Sequence, residues 1–305
     1  MCYQLLPYER VCQLLNTLYN AKLSTGTLKN LVERCYDHLA PCEEVIKAAL
    51  SQSAVLNSDE TGLYVDGKRQ WLHVASTPNL THYAHHTKRG SQATDEIGIL
   101  PNYEGVSVHD GYTSYRRYEQ CEHALCNAHH LRELTFVHEQ LGQEWAGEFK
   151  DLLIDLKTEV DQARATGQTQ LSPQCLSRYE HHYQQLIEQG LLLNPKPPPK
   201  PKGKRGRVAQ SKAKNLLDRL ERHKSEVLKF AYRFDVPFDN NQAERDIRMV
   251  KVQQKVSGCF RSESGAVYWC RIRGYLSTRR KQGENVLLAL TNTFKGQAPL
   301  PTILA

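Results

Sequence analysis

Three carboxylates in this 305-residue chain stand in settings unlike the rest of its acids. Asp59 lies in Leu56-Asn57-Ser58-Asp59-Glu60-Thr61, and Asp110 in Val106-Ser107-Val108-His109-Asp110-Gly111-Tyr112. Glu244 lies in Asp239-Asn240-Asn241-Gln242-Ala243-Glu244-Arg245. The first two close short β-like runs, and the third opens a helix crowded with Arg and Lys. Anionic oxygen donors on separate rigid elements are what a pair of divalent cations about 4 Å apart requires. The chemistry this suggests is metal-dependent phosphoryl transfer on a nucleic acid.

The elements that must position them are legible in outline. Residues 3–50 carry apolar residues at helical spacing (Leu5, Val11, Leu14, Leu15, Leu18, then Leu28, Leu31, Val32, Cys35, Leu39) with a break at Ser24-Thr25-Gly26. Two short helices and a polar turn fit either a helix-turn-helix or an αα-hairpin. Short β-like runs are expected at 54–56, 62–65, 71–75 and 81–85, with turns at Gly67 and Pro78-Asn79. A helix over 92–100, a buried strand over 105–109 and further helices follow. This order predicts a mixed sheet covered by helices. Helical patterning dominates 128–190, and a long helix is expected over 211–234.

Charge is distributed unevenly. The net charge is +7, yet residues 194–214 carry eight Lys/Arg and no acid, and residues 245–281 carry ten Lys/Arg against two acids. The remainder of the chain is therefore net negative, which points the two basic segments toward a polyanion. Residues 194–207 are also rich in proline, a composition that favours an extended linker. Its Lys202, Lys204, Arg205 and Arg207 are candidate phosphate contacts. In the helix expected from the Asp239-Asn240-Asn241 cap to about residue 254, Glu244, Arg248, Lys251 and Lys255 fall within roughly 60° of one another. Ala243, Ile247 and Val250 form an adjoining core stripe. An i,i+4 salt bridge and a metal-ligating Glu beside phosphate-binding cations both fit that face.

No apolar run approaches the ~20 residues of a membrane span, and the N-terminus lacks a signal-peptide pattern. Nine cysteines without a Cys-x-x-Cys pair suit reduced thiols in a cytoplasm.

Several strings, taken in order, resemble those of insertion-sequence-66 family transposases. They are Ser58-Asp59-Glu60-Thr61-Gly62, Val65-Asp66-Gly67-Lys68-Arg69, Trp71-Leu72-His73-Val74, Lys88-Arg89-Gly90, His109-Asp110-Gly111-Tyr112, His123 to Leu134, and Asp239 to Arg245. The resemblance extends, with gaps, from about Leu5 to about Leu290. It implies the DDE class, with an α/β ribonuclease-H-like domain: a mixed five-stranded sheet flanked by helices, interrupted by a largely helical insertion. Asp59, Asp110 and Glu244 become the catalytic and metal-holding acids, with Mg²⁺ or Mn²⁺ as a two-metal cofactor. Arg245, Arg248, Lys251, Lys255 and Arg261 would position phosphates. The resemblance also implies a Cys-x-x-His element, Cys126 and His129, after the second acid.

Cys121, His123, Cys126, His129 and His130 could be taken for a zinc cluster, but their spacings match no standard zinc pattern and Cys126 is predicted in a strand. A supporting role beside the acids is the expectation for Cys126 and His129. Phe260 is a candidate base-stacking residue or, more simply, a buried aromatic.

The expected organisation is a helical segment over 1–50 resembling the end of a helix-turn-helix region, a catalytic domain over 51–295 with an insertion at about 135–235, and a tail over 296–305. Family members resemble a longer chain, so the reading includes a shortened DNA-reading end. The implied partners are double-stranded DNA (transposon ends and target), a second copy of the chain and accessory transposition proteins, in a bacterial, nucleoid-associated setting. A catalytically idle DNA-binding remnant that regulates active copies is the alternative.

Overall fold

The computed structural model describes residues 1–197 and 208–303. Three helices come first: α1 (Tyr8–Tyr19), α2 (Thr25–His38) and α3 (Ala40–Ser51). Ser24 caps α2 by accepting the Thr27 N–H at 3.0 Å, and Pro41 starts α3, where its missing N–H has no intrahelical role. The strands β1 (Val55–Val65), β2 (Lys68–Ser76) and β3 (Thr81–His86) follow, then α4 (Ser91–Ile97), β4 (Val106–His109) and β5 (Glu122–Leu125). Next come α5 (Asn127–Leu141), α6 (Glu144–Ala165), α7 (Pro173–Leu193), α8 (Lys212–Arg222), α9 (Lys224–Val227) and α10 (Lys229–Tyr232). The chain ends with α11 (Asn241–Ser257), α12 (Glu263–Lys281) and α13 (Val286–Phe294).

The sheet order is β3-β2-β1-β4-β5, antiparallel across β3, β2 and β1 and parallel between β1 and β4. This mixed five-stranded sheet with flanking helices is the ribonuclease-H-like arrangement. Asp66 and Gly67 close the β1–β2 hairpin with φ of 48° and 71°, both left-handed, as a two-residue turn matching strand twist requires.

The chain divides into two compact units, one of residues 1–122 with 241–305 and one of residues 123–240, with the division inside β5. In the first, Leu63, Val65, Leu72 and Val74 of β1 and β2 bury against Ala243, Ile247 and Val250 of α11 and Trp269 of α12. Leu56 and Ala75, of opposite parity, bury on the other sheet face with Ile46, Leu50, Ile99 and Tyr115. A further cluster joins α2, α3, α12 and α13 through Val32, Cys35, Leu39, Ile272, Tyr275 and Ala289. The second unit has its own apolar core of α5–α10, centred on Trp145, Phe149, Tyr183, Leu217 and Phe230.

Four expectations need correction. Asp59 does not close a short run: β1 is one strand of 11 residues and Asp59 is its fifth. The polar Ser58–Thr61 stretch breaks the apolar pattern, but ladder pairing with β2 carries the strand through it. The helix expected over 92–100 stops at Ile97, because Gly98 turns left-handed at φ 80°. The helix expected over 211–234 is three short helices, broken at His223 and Leu228. Cys126 lies not in a strand but at the cap of α5. All nine cysteines are thiols. No helix of the described residues is long and apolar enough to cross a membrane.

Candidate active site

The first two acids are brought level by strand register. Val55 pairs with Val106 and Asn57 with Val108 in parallel fashion. The 51-residue offset of that pairing is also the offset between Asp59 and Asp110, so continuing the register two residues sets them side by side. The parity of Asp59 along β1 puts it on the face that receives α11, and Asp110 directly follows the end of the neighbouring β4. Glu244 sits in the first turn of α11, whose positive dipole end favours carboxylates.

The electrostatics record this convergence. Asp59 has its carboxyl pushed up to about 7, first by burial and then by the charge of Glu60, with Asp110 and Glu244 adding to the effect. The Glu60 N–H donates to Asp59 Oδ1 at 2.8 Å and opposes the shift. The Tyr112 N–H donates to Asp110 Oδ1 at 2.9 Å. Among the described residues, no Lys, Arg or His forms an ion pair with Asp59 or Asp110. Asp59 and Asp110 are hard-oxygen donors, and a pair of them fits a divalent cation of the Mg²⁺ or Mn²⁺ kind.

A polar clamp holds α11. Asp246 Oδ2 accepts from Lys281 Nζ at 2.7 Å and Gln242 Nε2 at 3.0 Å, and the Asp246 carbonyl accepts from Tyr83 Oη at 2.8 Å. Lys281 also donates to the Thr77 and Leu80 carbonyls of the β2–β3 turn. Glu244, two residues from Asp246, is thereby fixed relative to the sheet. Of the expected phosphate-binding residues, Arg245, Arg248, Lys255 and Arg261 are exposed, and none forms an ion pair among the described residues. Lys251, also exposed, donates through Nζ to the Gly62 carbonyl of β1. Phe260 is buried edge-on to Trp269, its ring centroid 6.1 Å away, so it is a core residue. Lys202, Lys204, Arg205 and Arg207 lie outside the described residues. Cys126 and His129 belong to the helical unit, where Cys126 Sγ accepts the Asn240 N–H at 3.1 Å.

Sequence reading nominates none of a second group beside the acids. Glu60, whose side chain is 2% exposed, accepts Arg89 Nε at 2.9 Å and NH2 at 2.8 Å, and also the hydroxyl of Tyr115. The Arg89 guanidinium lies 4.1 Å from the Tyr112 ring centroid and 5.0 Å from that of Trp71. The available signal was that Glu60, Trp71, Arg89 and Tyr112 all stand within the ordered strings quoted above.

A family model described as "Transposase IS66 family" matches residues 1–268. Among curated proteins, the chain is 38% identical over 68 residues to "Uncharacterized protein y4jO" of Sinorhizobium fredii (strain NBRC 101917 / NGR234). That match covers 22% of this chain and spans about a fifth (21%) of the relative's length.

Proposed function

The chain belongs to the IS66 transposase family, and from that premise we propose that it cleaves and joins DNA strands at insertion-sequence ends, using Asp59, Asp110 and Glu244 to hold divalent metal. The observation that carries the proposal is the convergence of the three acids at Asp59, whose carboxyl feels the charge of both others. When bound, the cations supply Lewis-acid activation of a water or 3′-hydroxyl and stabilisation of the leaving 3′-oxygen.

The residues of the chain do the rest. Asp59 and Asp110, level on neighbouring strands, form one side of the cation site, and Glu244 closes it from the start of α11. The exposed Arg245, Arg248, Lys255 and Arg261 bind phosphates and set the strand's direction across the acids. Lys251, pinned to β1, anchors the middle of α11. No covalent protein–DNA intermediate is required, so no Ser or Tyr nucleophile is assigned. The substrate is double-stranded DNA, and joining two ends calls for more than one protomer.

A plasmid-nicking assay with Mg²⁺ or Mn²⁺, comparing wild type with Asp110→Asn, tests this. Metal-dependent nicking by wild type alone, with joining of a supplied 3′-end, is the expected result. Equal nicking by the variant would remove Asp110 from the site. DNA binding without cleavage under any metal condition would mark the chain as a DNA-binding regulator.

A further inference from the structure

The ladder that sets Asp59 beside Asp110 stops short of both. Parallel pairing ends at Asn57 with Val108, and Asp110 lies past the last residue of β4, exposed, ahead of Gly111 at φ 91°. Two carboxylates side by side repel, so something other than the ladder must hold their spacing.

The hydrogen bonds around them share a common anchor. Asp59 Oδ1 accepts the N–H of Glu60, and Asp110 Oδ1 accepts the N–H of Tyr112. Arg89 grips the side chains of those same two residues: Glu60 through Nε and NH2, and Tyr112 through its ring face. Glu60 cannot give way, because it is buried and its other oxygen accepts the hydroxyl of the buried Tyr115. Trp71 further orients the guanidinium plane.

Resting on the active-site reading above, we propose that Arg89 is a positioning residue that joins Glu60 to Tyr112, fixes the separation of Asp59 and Asp110, and so sets the protein's affinity for divalent cation. The geometry asks for arginine in particular. A guanidinium brings two N–H donors to one carboxylate oxygen while its face stacks on an aromatic ring, and an ammonium cannot do both. On this reading Arg89 acts through Glu60 and Tyr112 and is not itself a metal ligand.

The test measures Mn²⁺ binding to the full chain without DNA, from the unbound Mn²⁺ signal in electron paramagnetic resonance. It is paired with oligonucleotide affinity in EDTA and with thermal melts. Arg89→Lys and Arg89→Ala should each weaken Mn²⁺ binding roughly 10- to 100-fold, as loss of an outer-shell partner does. Tyr112→Ala should weaken it less, and Tyr112→Phe, which keeps the ring, should match wild type. Oligonucleotide affinity in EDTA should stay within about twofold.

A folded Arg89→Lys that binds Mn²⁺ like wild type overturns the proposal. A fall in oligonucleotide affinity with Mn²⁺ binding intact overturns it in favour of a phosphate contact. If Arg89→Ala does not fold, Arg89→Lys and Tyr112→Ala decide between the same outcomes. Asp110→Asn is the control that separates the two readings. Should it bind Mn²⁺ as wild type does, the active-site reading falls and this one with it. Should it lose Mn²⁺ while Arg89→Lys does not, only the Arg89 assignment falls.

Discussion

The sheet unit and the helical unit stabilise themselves differently. Of twenty buried polar or charged residues among those described, sixteen belong to the sheet unit and four, Asn127, His130, Asn194 and Asn240, to the helical one. In the helical unit, Asn127, His130 and Asn194 are structural ties. Asn127 Nδ2 donates to the Val227 carbonyl at 2.9 Å and its Oδ1 meets His130 Nδ1 at 3.0 Å, while Asn194 and Gln143 pair through their amides. Around them the core is built from the apolar side chains of α5–α10. The sheet unit instead buries Glu60 against Arg89 and leaves Asp59 among like charges. Unsatisfied charge costs stability and persists where a ligand is to supply the missing countercharge. Under the proposed function, the difference separates a scaffold from a site.

The largest effects should fall on opposite measurements in the two units. Asp110→Asn should lower metal-dependent nicking by about 10²–10³-fold or more, the scale of losing one transition-state-stabilising group, and leave the melting temperature nearly unchanged. Trp145→Ala should do the reverse. Trp145 is wholly buried in the helical core and donates to Gln143 Oε1 at 2.6 Å. Its loss should cost about 3–5 kcal/mol in denaturant unfolding, with nicking per folded molecule retained. If the melt of Asp110→Asn drops as far as that of Trp145→Ala, the division between scaffold and site is wrong.

A smaller effect should appear only in the sheet unit and only at the right pH. The Asp59 carboxyl stands at about 7 in the fold against 3.8 ordinarily. Below pH 4 both folded and unfolded chains hold the proton and the shift has no effect. Between about 4 and 7 the unfolded chain gives it up while the folded one keeps it, so stability falls as pH rises. Above 7 the penalty is complete. Asp59→Asn should therefore stabilise the metal-free protein at pH 8 by on the order of 2–4 kcal/mol and give no gain at pH 4. Comparing the variant with wild type cancels the opposite slope of the buried histidines His73 and His130, pushed down to about 4 and about 3. Added Mn²⁺ should stabilise wild type at pH 8 and not the variant. Paired melts across pH check both statements, and a pH-independent difference would remove the charge argument.

What sequence could reveal of this site follows from the range of the interactions involved. The apolar stripe of α11 is local and periodic, so Ala243, Ile247 and Val250 could be read directly, and all three are buried. The ordered strings were likewise enough to indicate the family and its mixed sheet. The 51-residue interval between Asp59 and Asp110 carried no meaning until the β1–β4 register was known. Asp59 looked like the end of a strand because Ser58-Asp59-Glu60-Thr61 interrupts the apolar alternation, and only the partner strand β2 supplies the ladder that continues it. Helix breaks at His223 and Leu228 left no proline or glycine to mark them. Arg89 could not be paired with Glu60 from local pattern, because the contact spans 29 residues and depends on the fold.

The smallest prediction asks whether the units differ in backbone physics or only in what they bury. Gly67 closes the β1–β2 hairpin at φ 71°, and Gly142 ends α5 at φ 64°. A Cβ at either position would meet nothing within 4 Å. Alanine at either site therefore carries only the strain of a left-handed backbone, and each substitution should cost about 1 kcal/mol in chemical unfolding. Neither should alter Mn²⁺ affinity, because Gly67 lies eight residues from Asp59 along a strand held by β2 throughout. Equal losses would locate the contrast in the buried charges alone. A shift in Mn²⁺ affinity for Gly67→Ala but not Gly142→Ala would show that the hairpin turn, beyond the ladder and Arg89, sets the position of Asp59.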